Sequence, residues 1–325
     1  MTIIDRRQAV LGLTAAALGT QMSSALAQRN AVRLVVPAAP GGAIDVIGRL
    51  YAQRMSEILS QTWVVENKAG ANNTLGAAFV ARAPADGGTF LTNADIQIMA
   101  RYVMKSVSYD PVADFTPISR FGTSPMVLIG NAAKTPATAS ELIAAMKAQP
   151  TQFAFANSAL GAMGHLATES FKRRIGVDAL VVTYRGTAPA LNDVIGGQTA
   201  LMVAPLGSAL PYIKAGQLRA FAIMGPKRHP NVPDVPTISE AAGLSGLDFM
   251  LWYALWAPKG LPEDIVKQVS PAVKTASKDP ALVERLAALG VDPVTEDPAD
   301  FARFIAGEVE RSARVAEEAG IRPEQ

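Results

Sequence analysis

The chain has 325 residues, of which 49% are hydrophobic and 18% charged, a balance too apolar and too weakly charged for a disordered polymer. Its net charge of +2 gives no concentrated basic field, so nothing electrostatic points to nucleic acid as a partner. Cysteine is absent, which excludes disulfides, thiol nucleophiles, cysteine zinc sites and iron–sulfur clusters. The length suits about two domains of roughly 150 residues, and no internal apolar run reaches the ~18 residues of a membrane span.

The first element is an export signal. Asp5-Arg6-Arg7-Gln8 precedes an apolar stretch from Ala9 to Gly19, and Ala25-Leu26-Ala27 follows as a small-residue cleavage site. The paired arginines suggest the twin-arginine route. Residues 1–27 are therefore expected to be removed, leaving a mature periplasmic chain that starts at Gln28. No cysteine follows the cleavage site to carry a lipid.

Beyond Gln28, compact apolar runs alternate with helical patterns. Leu34–Val36, Trp63–Glu66, Phe90–Asn93, Phe153–Ala156, Leu180–Thr183 and Ala200–Val203 are bounded by Gly, Pro, Asn or Ser and read as buried parallel strands. Val46–Leu59 carries Ile47, Leu50, Ile58 and Leu59 on one helical stripe. Thr138-Ala139-Ser140-Glu141 is a capping box that predicts a helix over Ala139–Ala148. Pro262-Glu263-Asp264 opens another, and Phe301, Phe304, Ile305 and Val309 give the last helix a core face. Such alternation predicts α/β architecture in two lobes. Two long β-like segments, Phe115–Gly130 and Phe249–Ala257, are the expected crossings between them and form the hinge. This places residues 28–124 and 253–325 in the first lobe and 125–252 in the second.

The loops after the strands carry the chemistry. Leu34–Val36 runs into Pro37-Ala38-Ala39-Pro40-Gly41-Gly42-Ala43-Ile44-Asp45, where glycines admit close backbone approach and a helix start attracts anions. Asp45 falls in that helix's first turn and is expected to cap it. The second strand leads to Asn67-Lys68-Ala69-Gly70-Ala71-Asn72-Asn73-Thr74. In the second lobe the corresponding loops are Asn157-Ser158-Ala159-Leu160-Gly161-Ala162-Met163-Gly164-His165 and Tyr184-Arg185-Gly186-Thr187, with Pro205 after the last strand. Ligands of open α/β sheets bind at such carboxyl ends, so these loops should face one another across a cleft.

Segments along nearly the whole mature length resemble the extracytoplasmic solute receptors of the tripartite tricarboxylate transporter family, the Bug type. They include Pro40-Gly41-Gly42 with Asp45 and Arg49, Val65-Glu66-Asn67-Lys68 with Gly70, and Tyr109-Asp110-Pro111 with Asp114-Phe115. Further on come Gly161 with His165-Leu166, Tyr184-Arg185-Gly186, Gly196-Gly197-Gln198, Pro233-Asp234-Val235-Pro236-Thr237 and Trp252 with Ala257-Pro258. The resemblance implies a periplasmic-binding-protein (Venus flytrap) fold, a monomer without a cofactor, and capture of a small organic carboxylate for a membrane permease of two integral subunits. It implies a ligand held by backbone N–H groups, small hydroxyls and water. From loops and resemblance together, the candidate ligand-binding residues are Ala38, Pro40, Gly41, Gly42, Asp45, Asn72, Asn73, Asn157, Ser158, Gly161, Ala162, Met163, His165, Arg185, Gly186 and Pro205. Ala38 stands where the family commonly has an aromatic, Asn72-Asn73 where small residues are usual, Ala162 for a frequent Ser or Thr, and Gly88 for a usual Tyr. The first of these implies a pocket with room for a ligand longer than a four-carbon dicarboxylate.

Two other classes were weighed. A ligand-presenting sensor for a membrane signalling protein would use the same closing lobes. An exported α/β hydrolase would need an imidazole base, for which only His165 and His229 are present. His165 opens a helix and reads equally as a packed cap, while His229 in Lys227-Arg228-His229-Pro230 reads as part of a solvated turn. Gly243-Leu244-Ser245-Gly246 misses nucleophile-elbow spacing, and no phosphate loop or H-E-x-x-H occurs.

Overall fold

The computed structural model describes residues 31–318 and 320 apart from Arg185, so the export signal lies outside the described residues. The chain begins with three strand–helix units: β1 (Val32–Val36) with α1 (Ala43–Leu59), β2 (Trp63–Asn67) with α2 (Thr74–Ala81), and β3 (Thr89–Ala94) with α3 (Ile96–Val103). β1 lies between β2 and β3 and is parallel to both. With helices on both faces, Leu34, Val35 and Val36 are all buried, which is why this strand reads as an unbroken apolar run. α1 begins three residues before the apolar pattern at Val46, because Ala43 faces solvent and leaves no hydrophobic mark.

The chain then crosses to a second sheet through β4 (Phe115–Asn131). Its first part pairs antiparallel with β9 (Met250–Pro258) from Phe115 to Pro125, and also with the short β10 (Asp292–Pro293). From Met126 to Gly130 it pairs instead with β7 (Leu201–Pro205), and from Met126 to Asn131 with β8 (Leu218–Met224). The second sheet is completed by β5 (Phe155–Asn157) and β6 (Val181–Thr183), both parallel with each other and continuing from β7. The helices of this lobe are α4 (Ala139–Ala148), α5 (Met163–Ile175), α6 (Thr187–Gly196), α7 (Leu206–Lys214) and α8 (Ile238–Ala242). The chain returns at Phe249, whose N–H donates to the Met224 carbonyl at 2.8 Å and whose carbonyl accepts from Met126 at 3.0 Å. It finishes on the first lobe with α9 (Glu263–Ala276), α10 (Pro280–Ala288) and α11 (Pro298–Glu318).

Both expected crossings are thus long strands, and Trp252 and Trp256 sit fully buried against Phe301 in the first lobe's core. Cores lie on both faces of each sheet, as the two-lobed fold requires. The lobes also share packing: Met99 and Val103 of α3, and Val315 and Ala316 of α11, join the second lobe's core beside Met126, Met163 and Phe171.

Two local expectations are corrected and one strand is added. The strand expected at Phe153–Ala156 is Phe155–Asn157, because Pro150–Gln152 form a 3-10 turn whose Phe153 N–H donates to the Pro150 carbonyl at 3.2 Å. β8 was not anticipated, since Arg219 interrupts its apolar run; that guanidinium reaches out to the Ala132 carbonyl at 2.9 Å. His229 is not in a solvated turn: it is buried, its Nδ1 accepts from the Asn231 N–H at 3.2 Å, and its Nε2 lies 3.6 Å from Asp292 Oδ1. The covering surface comes from α10 and β10 of the other lobe, where the Asn231 amide also donates to the Ala287 carbonyl at 2.8 Å. Local sequence cannot report such distant cover.

Candidate functional site

Strand direction alone decides where the loops go. β3 and β4 are each antiparallel to β9, so β1, β2 and β3 run the same way as β4, toward the second lobe. β7 runs antiparallel to β4, and β5 and β6 follow β7, so these run toward the first lobe. The carboxyl ends of both sets therefore point at one another across the crossing strands, which brings all four predicted loops to the seam between the lobes.

Helix capping shows a matching division. Away from the seam, α4 and α8 carry complete capping boxes, Thr138 with Glu141 and Thr237 with Glu240, and α10 is capped by Asp279, with α9 behind Pro262 the uncapped exception. The helices that open at the seam, α1, α2, α3, α5, α6 and α7, have Gly42, Asn73, Asp95, Ala162, Gly186 and Pro205 as N-cap residues, and none makes a side-chain cap. Apart from α3, whose start is covered by the buried Asp95 carboxyl, their first N–H groups and positive dipole ends stay available to an anion.

In the first lobe, Asp45 organises the loop after β1. It is buried, and its Oδ2 accepts from the Gly41 N–H at 2.8 Å and from Arg49 Nε at 3.0 Å. Its Oδ1 accepts from the Asn67 amide at 2.8 Å, and that amide also donates to the Ala38 carbonyl at 3.1 Å. Arg49 closes the ring by donating to Asn67 Oδ1 at 2.8 Å. Burial pushes the Asp45 carboxyl up, but the bonds from Arg49, Gly41 and Asn67 outweigh it and hold the group below its ordinary range. Asp45 thus shapes the Ala38–Gly42 backbone through Gly41 rather than by capping α1 with its side chain. Pro40, Gly41 and Gly42 are exposed, and Gly41, at φ +82°, has open space where a Cβ would project.

The loop after β2 takes an unusual path: Ala71, Asn72 and Asn73 are all left-handed, at φ 46°, 51° and 69°. Asparagine tolerates this conformation, which accounts physically for Asn72-Asn73 in place of small residues. Asn73 reaches Asn93 Oδ1 at 3.5 Å, and Asn93 in turn donates to Gln97 Oε1 at 2.8 Å.

In the second lobe, His165 is buried and its Nδ1 accepts from the Gly161 N–H at 3.0 Å, so the imidazole closes its own loop. Gly161 (φ +71°) lies against α3: a Cβ there would fall 2.0 Å from Val103 Cγ1. Ala162 is half-buried, while Met163 turns into the core. Asn157 is buried and donates to the Ala159 carbonyl at 3.0 Å; its Oδ1 has no protein partner among the described residues. The Gly186 N–H donates to the half-buried Ser158's carbonyl at 2.9 Å, and Gly186 (φ +116°) also has open space beside it. Pro205 is half-buried at the start of α7. Arg185 lies outside the described residues. Reasoning from sequence passed over the Arg49–Asn67 clamp and the Asn93–Gln97 pair. Polar residues at the end of β3, in the same strand–helix position as the other loops, were the available signal.

Two α/β lobes joined by long strands, with uncapped strand-end helices turned toward each other, define the class of two-lobed solute-binding proteins. The chain belongs to the tripartite tricarboxylate transporter receptor family: the profile described as "Tripartite tricarboxylate transporter family receptor" matches residues 47–321. Protein BugT of Bordetella pertussis is 35% identical over 323 residues, covering 98% of this chain and 99% of BugT. Among solved structures, an R. palustris protein with adipate is 34% identical at a TM-score of 0.83, covering 90% of this chain and 98% of that one. The periplasmic binding protein BugD is 33% identical at 0.80, over 90% and 99% of the two chains. MatC of Rhodopseudomonas palustris with bound malate is 32% identical at 0.78, over 88% and 98%. The chain is a solute-binding receptor of this transporter family and not an enzyme.

Proposed function

We propose that the receptor works in the periplasm after cleavage near Ala27, closes its lobes on one small organic carboxylate, and delivers it as a monomer to a permease of two integral subunits. The carrying observation is the convergence of uncapped helix starts, those of α1, α5 and α6 among them, on both facing edges of the seam. Backbone donors of this kind hold a carboxylate without burying a paired cation, which avoids a desolvation cost of several kcal/mol per ion. Similar proteins solved with adipate and with bound malate, 34% and 32% identical to this chain, support a carboxylate here. The first-turn N–H groups that follow Gly42 and Gly186, Asn157 Oδ1 through a bridging water or ligand hydroxyl, and Asn72, Asn73 and Ser158 are the proposed contacts, with Pro40 and Gly41 shaping the loop, Ala38 and Ala162 as walls and Pro205 behind them. Asp45, Gly161 and His165 hold the loops in shape, Met163 anchors one from the core, and Arg185 is proposed as the charged donor. The hinge is placed at Pro125/Met126 and Phe249/Met250, where the strands exchange partners.

The test is a thermal-shift panel of mono-, di-, tri- and aromatic carboxylates on the mature protein, with chain lengths beyond four carbons because Ala38 leaves room on that side. A true ligand at about 100 times its Kd should stabilise the fold by roughly 2.7 kcal/mol, a shift of a few degrees, with about one bound per chain by calorimetry. A panel that produces no shift overturns the carboxylate reading.

A further inference from the structure

On the face away from the strand-end loops, α5 ends in Lys172, Arg173 and Arg174. Basic groups in a last turn offset the helix dipole, but they do so singly and at the surface. Here they meet a second basic helix. Arg173 and Arg174 of the second lobe, with Arg311 and Arg314 of α11, line an open pocket of about 650 Å³ together with Ser170 and Phe249. No Asp or Glu lines it. Two neighbouring carboxylates are committed elsewhere, Glu169 to Lys172 at 3.0 Å and Glu308 to Arg311 at 3.4 Å, while Asp248, Glu310 and Glu317 lie close in sequence but do not line the pocket. Arg174 donates to the Ser245 carbonyl and Arg311 to the Asp248 carbonyl, while Arg311 also lies 5.3 Å from the Phe249 ring centroid. Those contacts fix two guanidiniums in place. Arg173 and Arg314 are exposed and make no hydrogen bond or ion pair among the described residues. Four like charges around one concavity repel one another, and planar guanidinium forks match the oxygens of phosphate and carboxylate groups.

We propose that this pocket is a second anion site, distinct from the cleft, which takes a free multivalent oxyanion such as a polyphosphate or polycarboxylate. Its walls come from both lobes and from the return crossing at Phe249, so the bound anion ties α5 to α11 beside the hinge.

The test uses pyrophosphate and citrate as probes, titrated calorimetrically into the mature protein at low salt. Wild type should bind one pyrophosphate here, and Arg173→Ala/Arg314→Ala should weaken it by roughly tenfold or more. The melting temperature without anion should be unchanged, since neither side chain has a partner to lose among the described residues. Arg173→Lys/Arg314→Lys, which keeps charge but not the fork, should recover only part of the affinity. Lys267→Ala/Arg303→Ala removes the same charge from exposed positions elsewhere and should leave binding intact. Equal weakening by that control would reduce the effect to net charge and overturn the site. Binding lost on Asp45→Ala but kept in the arginine variant would move the anion to the cleft, also overturning it. Binding to phosphatidylglycerol vesicles without binding of free pyrophosphate or citrate would make the patch a membrane contact and overturn the proposal as stated.

Discussion

Asp45 shows how one carboxylate can matter to a binding site without touching a ligand. Its oxygens are taken by Gly41, Arg49 and Asn67, so its removal leaves a guanidinium, an amide and a backbone N–H short of partners. Asp45→Ala should therefore cost about 1–3 kcal/mol in urea unfolding at pH 7, on the scale of charge-assisted bonds to a buried group. Burial raises its pKa, yet the bonds prevail and the folded value lies below the unfolded 3.8. The stabilisation is thus fully present above that unfolded value and is lost as pH falls through the folded one. Unfolding repeated near pH 2 should show wild type and variant drawing together; an undiminished gap would mean that Asp45 acts by packing alone.

At the scale of elements, the contact to watch is α3 against the loop that opens α5. Gly161 permits it twice over, by its left-handed φ of +71° and by lacking a Cβ, which would fall 2.0 Å from Val103 Cγ1. A side chain there must pay roughly 1–2 kcal/mol for the left-handed backbone and also displace Val103. Gly161→Ala should lower the melting temperature and weaken ligand binding together, because α3 belongs to the first lobe and the loop to the second. Adding Val103→Ala removes the clash but not the backbone cost, so the double variant should recover part of the loss. A double-mutant cycle with no coupling between the two positions would show that this contact does not form in solution.

At the scale of the whole molecule, the first lobe's core contains a buried acid pair at the junction of three elements. Asp95, where β3 turns into α3, is faced by Glu308 of α11 and by Tyr253 of β9, and Glu308 is itself bonded to Trp252 Nε1 and Arg311. Burial, reinforced by the Glu308 charge and only partly offset by backbone N–H groups, pushes the Asp95 carboxyl up to about 7. Between the unfolded 3.8 and about 7 the folded chain therefore binds a proton that the unfolded chain does not, so this group makes stability fall as pH rises through that window. Asp95→Asn should gain on wild type from about pH 4 to about pH 7 in denaturant unfolding and then level off. A parallel pH profile for the two proteins would place the Asp95 titration outside this range.

The α/β class, the crossings near Phe115–Gly130 and Phe249–Ala257, and the capping box at Thr138 were legible in the chain itself. Each rests on a local cause: apolar runs bounded by turn formers, or a hydroxyl three residues before a glutamate. The seam loops were legible for the same reason, since clusters of glycine and asparagine mark turns that can take positive φ, as Gly41, Asn72, Asn73, Gly161 and Gly186 do. Boundaries slipped where a buried side chain was not in a strand, as at Phe153, or where a charged one was, as at Arg219. What the sequence did not contain was anything about partners far along the chain. The cover over His229 comes from residues near Asp292, the crowding at Gly161 exists because Val103 stands there, and the four-arginine pocket joins α5 to a helix about 140 positions later. Such juxtapositions depend on two sheets sharing β4 and on the direction in which each strand runs through it. They are properties of the assembled fold, because no segment carries within its own residues the identity of what will be packed against it.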